Sequence, residues 1–258
     1  MGSVIIQDFT TKDPITLMGY EAGTCWGADV KDPEKNYKRG IHCLESDHGR
    51  LLEYPQIYMT ISGYSARFGR EFYTHIGGSP TRLQSSTRRI DYSKGFDFTI
   101  PKSISTKIEA NEVFTKEIDN IKEAISKLIE LGVPLEDATT LFPLAGNTEI
   151  VCRTDLRMMV DMAHQRKCSR AYWEYRNFFA DFEMALFGYS EQWQELIGKY
   201  NIFKRKCEVY KGCPEKDCCG WYAASLNKPI PKVLDIKEVD TVKLPYKMEL
   251  DKLLDFLD

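Results

Sequence analysis

Between Tyr64 and Lys94 the chain carries Arg67, Arg70, Arg82, Arg88, Arg89 and Lys94 against only Glu71 and Asp91. Beside these cations runs Thr74-His75-Ile76-Gly77-Gly78-Ser79-Pro80-Thr81, a loop rich in glycine and hydroxyls. That combination suits a phosphate. The Gly77 and Gly78 N–H groups can approach an anion closely, Ser79, Ser85, Ser86 and Thr87 can donate hydrogen bonds, and an arginine can grip phosphate with two parallel N–H groups. The loop lacks the Gly-Lys-Ser/Thr of a Walker motif and the Gly-x-Gly-x-x-Gly of a dinucleotide turn, so spacing leads to phosphate binding and no further. A solvated basic face is the plainer alternative.

Two further groups carry chemistry. His48-x4-Glu53 could act as an acid/base pair or hold ring nitrogens, although a surface histidine is the commoner outcome. No pair among His42, His48, His75 and His164 has the spacing of a zinc hydrolase. Arg157 and Arg166 are nine residues apart, roughly opposite each other at about 100° per residue, and share one ligand only if their helix breaks or subunits meet there. Of the eight cysteines, Cys168 follows Arg166, and Cys207-x5-Cys213-x4-Cys218-Cys219 forms a late cluster. Cys168, Cys207, Cys213 and Cys219 are candidate ligands of a structural zinc if the fold gathers them, with free thiols or a labile disulfide as the alternatives.

These residues must be positioned by a folded globule. The 258 residues are 43% hydrophobic and 28% charged, which excludes a disordered or fibrous chain. A net charge of −3 gives no whole-chain reason for nucleic-acid or anionic-membrane binding. The opening residues lack a cationic start and a long apolar run, and no segment approaches the ~20 apolar residues of a membrane span, so the expected location is the cytoplasm.

Periodicity then supplies elements. Residues 8–55 predict a small helix or two with irregular connections, and Gln56–Ser62 alternates as a half-buried strand closed by Gly63. Tyr64–Tyr73 predicts a helix running into the glycine loop. In residues 107–131, Phe114, Ile118, Ile121, Ile125 and Leu128 fall on one stripe, ended by Gly132 and Pro134. Further helices are predicted over 155–165, over Arg170–Phe187 with an aromatic core, and over Tyr246–Leu257. The fold class is therefore α+β, a small, mostly antiparallel sheet flanked by several long helices.

In order, His48-x4-Glu53, a strand, His75-x3-Ser79, Ser86-x-Arg88, Leu141-Phe142-Pro143-Leu144, Arg157 and Arg166-x4-Ala171-x-Trp173-Glu174-x-Arg176 resemble the flavin-dependent thymidylate synthases. The resemblance spans roughly residues 40–187 and implies one such domain over 1–258, with a Cys-rich extension at about 205–258. The central motif departs from the family's pattern. Thr74 and Ile76 stand in place of two arginines, the Ser-x-Arg ending comes two residues late, the family's Asn has no clear counterpart, and Gln84 stands where an acidic residue is usual.

The resemblance implies FAD, dUMP, methylenetetrahydrofolate and NADPH, in a homotetramer whose sites form where subunits meet. It implies that Arg166 polarises the uracil ring and that Glu71, Gln84, Ser85, Ser86, Thr87 and Arg88 bind dUMP. Thr74, His75, Ile76, Asp155, Arg157 and Asp161 match FAD contacts, and His48 a position near flavin and folate. Loss of arginine at 74 and 76 removes two positive charges from the flavin side. Two alternatives remain open at this point: one-carbon transfer to another pyrimidine nucleotide, and a zinc-stabilised nucleic-acid-binding module. Against the second stand the negative net charge and a basic loop without interleaved aromatics.

Overall fold

A computed structural model describes residues 2–78 and 80–226. The element order is β1 (Ser3–Ile6), α1 (Pro14–Trp26), α2 (Pro33–Glu45), β2 (Gln56–Ser65), α3 (Ala66–Phe72), β3 (Thr81–Gln84), α4 (Lys102–Ser105), α5 (Ile108–Glu130), α6 (Leu135–Ala138), β4 (Asn147–Asp155), α7 (Leu156–Arg166), α8 (Trp173–Phe187), α9 (Glu191–Gly198), α10 (Lys206–Val209) and α11 (Trp221–Ser225). The strands form one antiparallel sheet in the order β1-β2-β4-β3, and the fold is α+β as the patterning predicts. Ser79 and the helix expected over Tyr246–Leu257 lie outside the described residues. No helix among the described residues is long and apolar enough to cross a membrane.

The chain divides into two compact units, each assembled from separated stretches. The first comprises residues 1–5, 59–76 and 81–152. Its core includes Ile61, Phe68, Phe72, Ile118, Ile125 and Ile150. Along β2 the burial alternates as expected, but the strand runs on to Ser65, because Gly63 adopts φ +72° within it instead of ending it. Strand β4 was hidden from periodicity: its alternate inward positions are Thr148, Ile150, Cys152 and Thr154, only one of them strongly apolar. Helix α5 turns Ile118 and Ile125 of the predicted stripe fully inward. It ends where Gly132 takes φ +84° and Val133 N–H reaches back to the Leu128 carbonyl at 3.0 Å, the closing bond of a glycine C-terminal motif.

The second unit comprises residues 6–58, 77–80 and 153–258, of which the structure describes the part up to 226. In residues 8–55 the sequence builds two helices of 13 residues each, both opening on proline, where a missing N–H costs nothing. Gly19 and Gly40 let α1 and α2 meet backbone to backbone. A Cβ at Gly19 would stand 1.8 Å from the Asn36 carbonyl oxygen, and one at Gly40 would stand 2.0 Å from that of Ile15. On α8, Tyr175, Phe178, Phe179 and Phe182 are fully buried and mutually packed, with Phe182 meeting Phe203 at 5.3 Å between centroids. Trp193 of α9 is buried too, its indole N–H donating to the Thr11 carbonyl at 2.8 Å.

Candidate active site

In the first unit, the residues matched to nucleotide binding sit on α3, at the end of β3 and in the turn that follows. Ser65 caps α3 by accepting the Phe68 N–H at 3.1 Å. The helix carries Glu71, and Thr74 donates its hydroxyl to the Glu71 carbonyl at 2.7 Å. Arg82 lies over the rings of Phe72, 4.7 Å from its centroid, and Tyr73, and donates to the His75 carbonyl. It thus staples the Thr74-His75-Ile76 segment to β3 and is a structural cation. Ile76 is left 80% exposed.

Gln84 donates to the Thr148 hydroxyl at 3.1 Å, and Ser85 is fastened to β4 through bonds between its backbone and hydroxyl and Glu149. Ser86 accepts the Arg88 N–H at 3.3 Å, making a hydroxyl turn, while the Thr87 carbonyl accepts from buried Thr139. Arg88 projects into solvent and is gripped by Glu136, at 2.7 Å from Nε and 2.6 Å from a terminal nitrogen. Glu136 is 48 positions away, and nothing in the sequence singles it out. The pair is three-quarters exposed on the arginine side, so it contributes at most ~1 kcal/mol and yields readily to a stronger anion.

In the second unit, Asp155 is the N-cap of α7, accepting the Met158 N–H at 2.7 Å. Gly78, at φ +67°, lies so close that a Cβ there would stand 2.6 Å from an Asp155 carboxylate oxygen. A carboxylate therefore faces Gly78 on the side where a Cβ would stand. Burial pushes the Asp155 carboxyl above its ordinary range, and Glu53 and Asp161 add to that through their charges. Glu53 therefore faces Asp155, and the His48-x4-Glu53 couple lies at the two ends of the 3-10 turn Gly49–Glu53, with His48 exposed. Arg157 pairs with Asp161 at 3.2 Å, and a Cβ at Gly49 would stand 2.4 Å from its guanidinium. Asp155, Arg157, Asp161 and the His48-Gly49 turn are thus brought together.

Arg166 ends α7, which is unbroken, so Arg157 and Arg166 project from opposite sides about 13.5 Å apart along the axis and share no ligand within one chain. The Arg166 guanidinium lies over the Tyr175 ring, 4.9 Å from its centroid, and the Tyr175 hydroxyl donates to Met162 Sδ at 2.9 Å. Of the aromatics after Arg166 expected in the core, Tyr175 is buried whereas Tyr172 and Trp173 are only half-buried, and Tyr175 is also the platform for the arginine. Arg166 lines a cavity of about 720 Å³ that also takes in His164, Cys168, Arg205, Cys207 and Cys213.

Cys218 and Cys219 line the same cavity, so the fold does gather the late thiols around Cys168. Among the described residues no three His, Cys, Asp or Glu side chains form a group that could hold a metal ion, so the zinc site expected from Cys168, Cys207, Cys213 and Cys219 is not formed. Cys213 and Cys218 lie within hydrogen-bond reach of each other, and burial pushes the Cys207 thiol up to about 11.

His164, on the cavity wall, is held below its ordinary pKa, first by burial. With the folded pKa below the unfolded value near 6.5, the unfolded chain binds more protons in the window just under pH 6.5, so stability falls as pH drops through it. We expect denaturant midpoints to decline from pH 7 to pH 5, and His164→Gln to flatten that decline. An equal slope in the variant counts against this assignment.

Residues 8–184 match the family model described as thymidylate synthase complementing protein. The flavin-dependent thymidylate synthase of Geobacter sulfurreducens is 29% identical over 130 residues, covering 50% of this chain and 55% of the relative. The chain thus aligns with just over half the length of that protein. The enzyme of the same name from Nitratidesulfovibrio vulgaris is 29% identical over 196 residues, 72% of this chain and 76% of the relative. Among solved structures, the UMP/dUMP methylase PolB from Streptomyces cacaoi, bound with 5-Br dUMP, superposes with a TM-score of 0.62 at 15% identity, covering 76% of this chain and 94% of that one, which shows a shared fold. The binding-module alternative has no support beside a family match of this extent. With the ordered motifs, the α+β frame and the family model in agreement over most of its length, the chain belongs to the flavin-dependent thymidylate synthase family.

Proposed function

We propose that this protein methylates dUMP to dTMP, replacing the C5 hydrogen of the uracil with a methyl group. The observation that carries the reading is the Arg166 guanidinium, held over Tyr175 on the wall of a large cavity. A fixed cation there stabilises negative charge developing on the pyrimidine ring, and it needs no reorganisation when the charge appears. Arg88, Ser86 and the exposed turn after β3 would hold a phosphate, with the sites shared between subunits that the family resemblance implies.

The donor set fits FAD in character. Arg157 is half exposed and able to meet a pyrophosphate, and Asp161 keeps it oriented. FAD, when bound, supplies the redox step that turns a transferred one-carbon unit into a methyl group. Methylenetetrahydrofolate as carbon donor, NADPH as reductant, the homotetramer with shared sites, the location of His48 beside flavin and folate, and the cytoplasm as compartment rest on the family resemblance.

The test is the visible spectrum of purified protein after addition of FAD and then dUMP, followed by product analysis with dUMP, UMP and dCMP. A flavin spectrum perturbed by dUMP, and dTMP as product, support the reading; a protein that takes up neither overturns it. Methylation of UMP or dCMP in preference to dUMP would move the substrate to another pyrimidine nucleotide. For the phosphate side, we expect Arg88→Ala to raise KM for dUMP by about tenfold with kcat little changed, the loss of one charge-assisted hydrogen bond after subtracting the weak Glu136 pair. A parent-like KM would remove Arg88 from the site.

A further inference from the structure

We propose that Lys167 and Glu183 form a positioning pair that fixes the end of α7 and thereby the place of the Arg166 guanidinium over Tyr175. The inference rests on the reading of Arg166 given above. Lys167 directly follows Arg166 and is 4% exposed. Its ammonium stands 2.6 Å from Glu183 Oε1 on α8 and donates to the Phe203 carbonyl at 2.7 Å. One side chain therefore ties the last turn of α7 both to α8 and to the segment after α9.

Stability alone does not account for this arrangement. Burying an ammonium and a carboxylate costs several kcal/mol per ion in desolvation, and well-packed apolar residues of the same size usually serve stability as well or better. Such a pair does provide geometry. Successive helical residues point about 100° apart, so a Lys167 pinned toward α8 directs Arg166 around the helix to the neighbouring side. Tyr175 receives the guanidinium there, and Tyr175 is itself fixed by its bond to Met162, one turn back on α7. Two points on α8, Tyr175 and Glu183, hold the α7 terminus. Without the second, the helix end can rotate while the ring stays in place.

The experiment is the double replacement Lys167→Met/Glu183→Leu, which removes both charges of the pair together. Flavin-loaded protein is compared with the parent for melting temperature, dUMP affinity by calorimetry, and kcat. We expect melting close to the parent, dUMP affinity within threefold, and kcat lower by about 100-fold, the scale of a misplacement of about an ångström in an oriented catalytic group. In an Arg166→Lys background the same double replacement should add no further loss, because the group it positions is gone.

Parent-like kcat in the double variant overturns the proposal, as do losses that multiply in the Arg166→Lys background. If the double variant does not fold, Glu183→Asp decides: it keeps the charge and draws Lys167 back by one methylene, with an expected tenfold fall in kcat. Unchanged kcat there overturns the proposal too. Parent-like kcat in Arg166→Lys alone overturns the reading of Arg166 itself, which separates that failure from a failure of the pair.

Discussion

Arg166→Ala is expected to lower kcat for dUMP methylation by about 10³-fold, the cost of removing one preorganised donor from a developing negative charge. The fold should survive. The side chain is half-buried, and its contact with the Tyr175 ring contributes roughly 1 kcal/mol. For a chain of this size that corresponds to a melting shift of about 2–4 °C. Steady-state kinetics on flavin-loaded variant, with melting followed in parallel, separates the two effects. Retained turnover would show that the pyrimidine is polarised elsewhere. A large loss of melting temperature would show that Arg166 is a packing residue. Dependence of the loss on kcat and not on KM would mark an interaction made in the transition state.

The second large effect concerns stability. Gly19→Ala is expected to destabilise the protein by about 3 kcal/mol, at the upper end of overpacking costs. The reason is what the new methyl would meet. Its position is 1.8 Å from the Asn36 carbonyl oxygen and 2.5 Å from the Gly40 nitrogen, and backbone cannot rotate aside as a side chain can. Helices α1 and α2 would have to separate along their crossing, uncovering Ile15, Met18 and Cys43, all buried. Gly40→Ala meets the Ile15 carbonyl oxygen at 2.0 Å and should behave alike. Chemical denaturation of the two single variants measures the cost. By contrast, Gly27 at φ +57°, with no atom near its would-be Cβ, is limited by backbone strain alone and should lose about 1 kcal/mol as alanine. Equal, small losses at all three positions would show that the helices meet less closely than described.

Both effects depend on features that differ in how far the amino-acid order reveals them. The long amphipathic helix α5, its glycine stop, the alternation of β2 and the aromatic stripe of α8 are local patterns, visible within a window of one element. Helix α9 and strand β4 were not visible in this way. In β4 the inward positions are mostly threonine and cysteine, so no apolar alternation betrays them. Likewise Asp155 reads as the start of a helix, but its contact with Gly78 joins residues 77 positions apart.

The fold class and the family were legible in the amino-acid order, because periodicity, capping residues and ordered motifs are short-range properties written in residue types. What each candidate side chain meets was set by tertiary packing. It gave Arg88 to Glu136, laid Arg82 of the basic stretch over Phe72 and Tyr73, and gathered the late thiols around one cavity with Cys168. It also laid Arg166 on Tyr175 beside a buried Lys167–Glu183 pair. Charge and hydrogen-bonding groups are satisfied by whichever partners chain closure brings within about 3 Å, and that distance is set by the packing of whole elements, which no local spacing encodes.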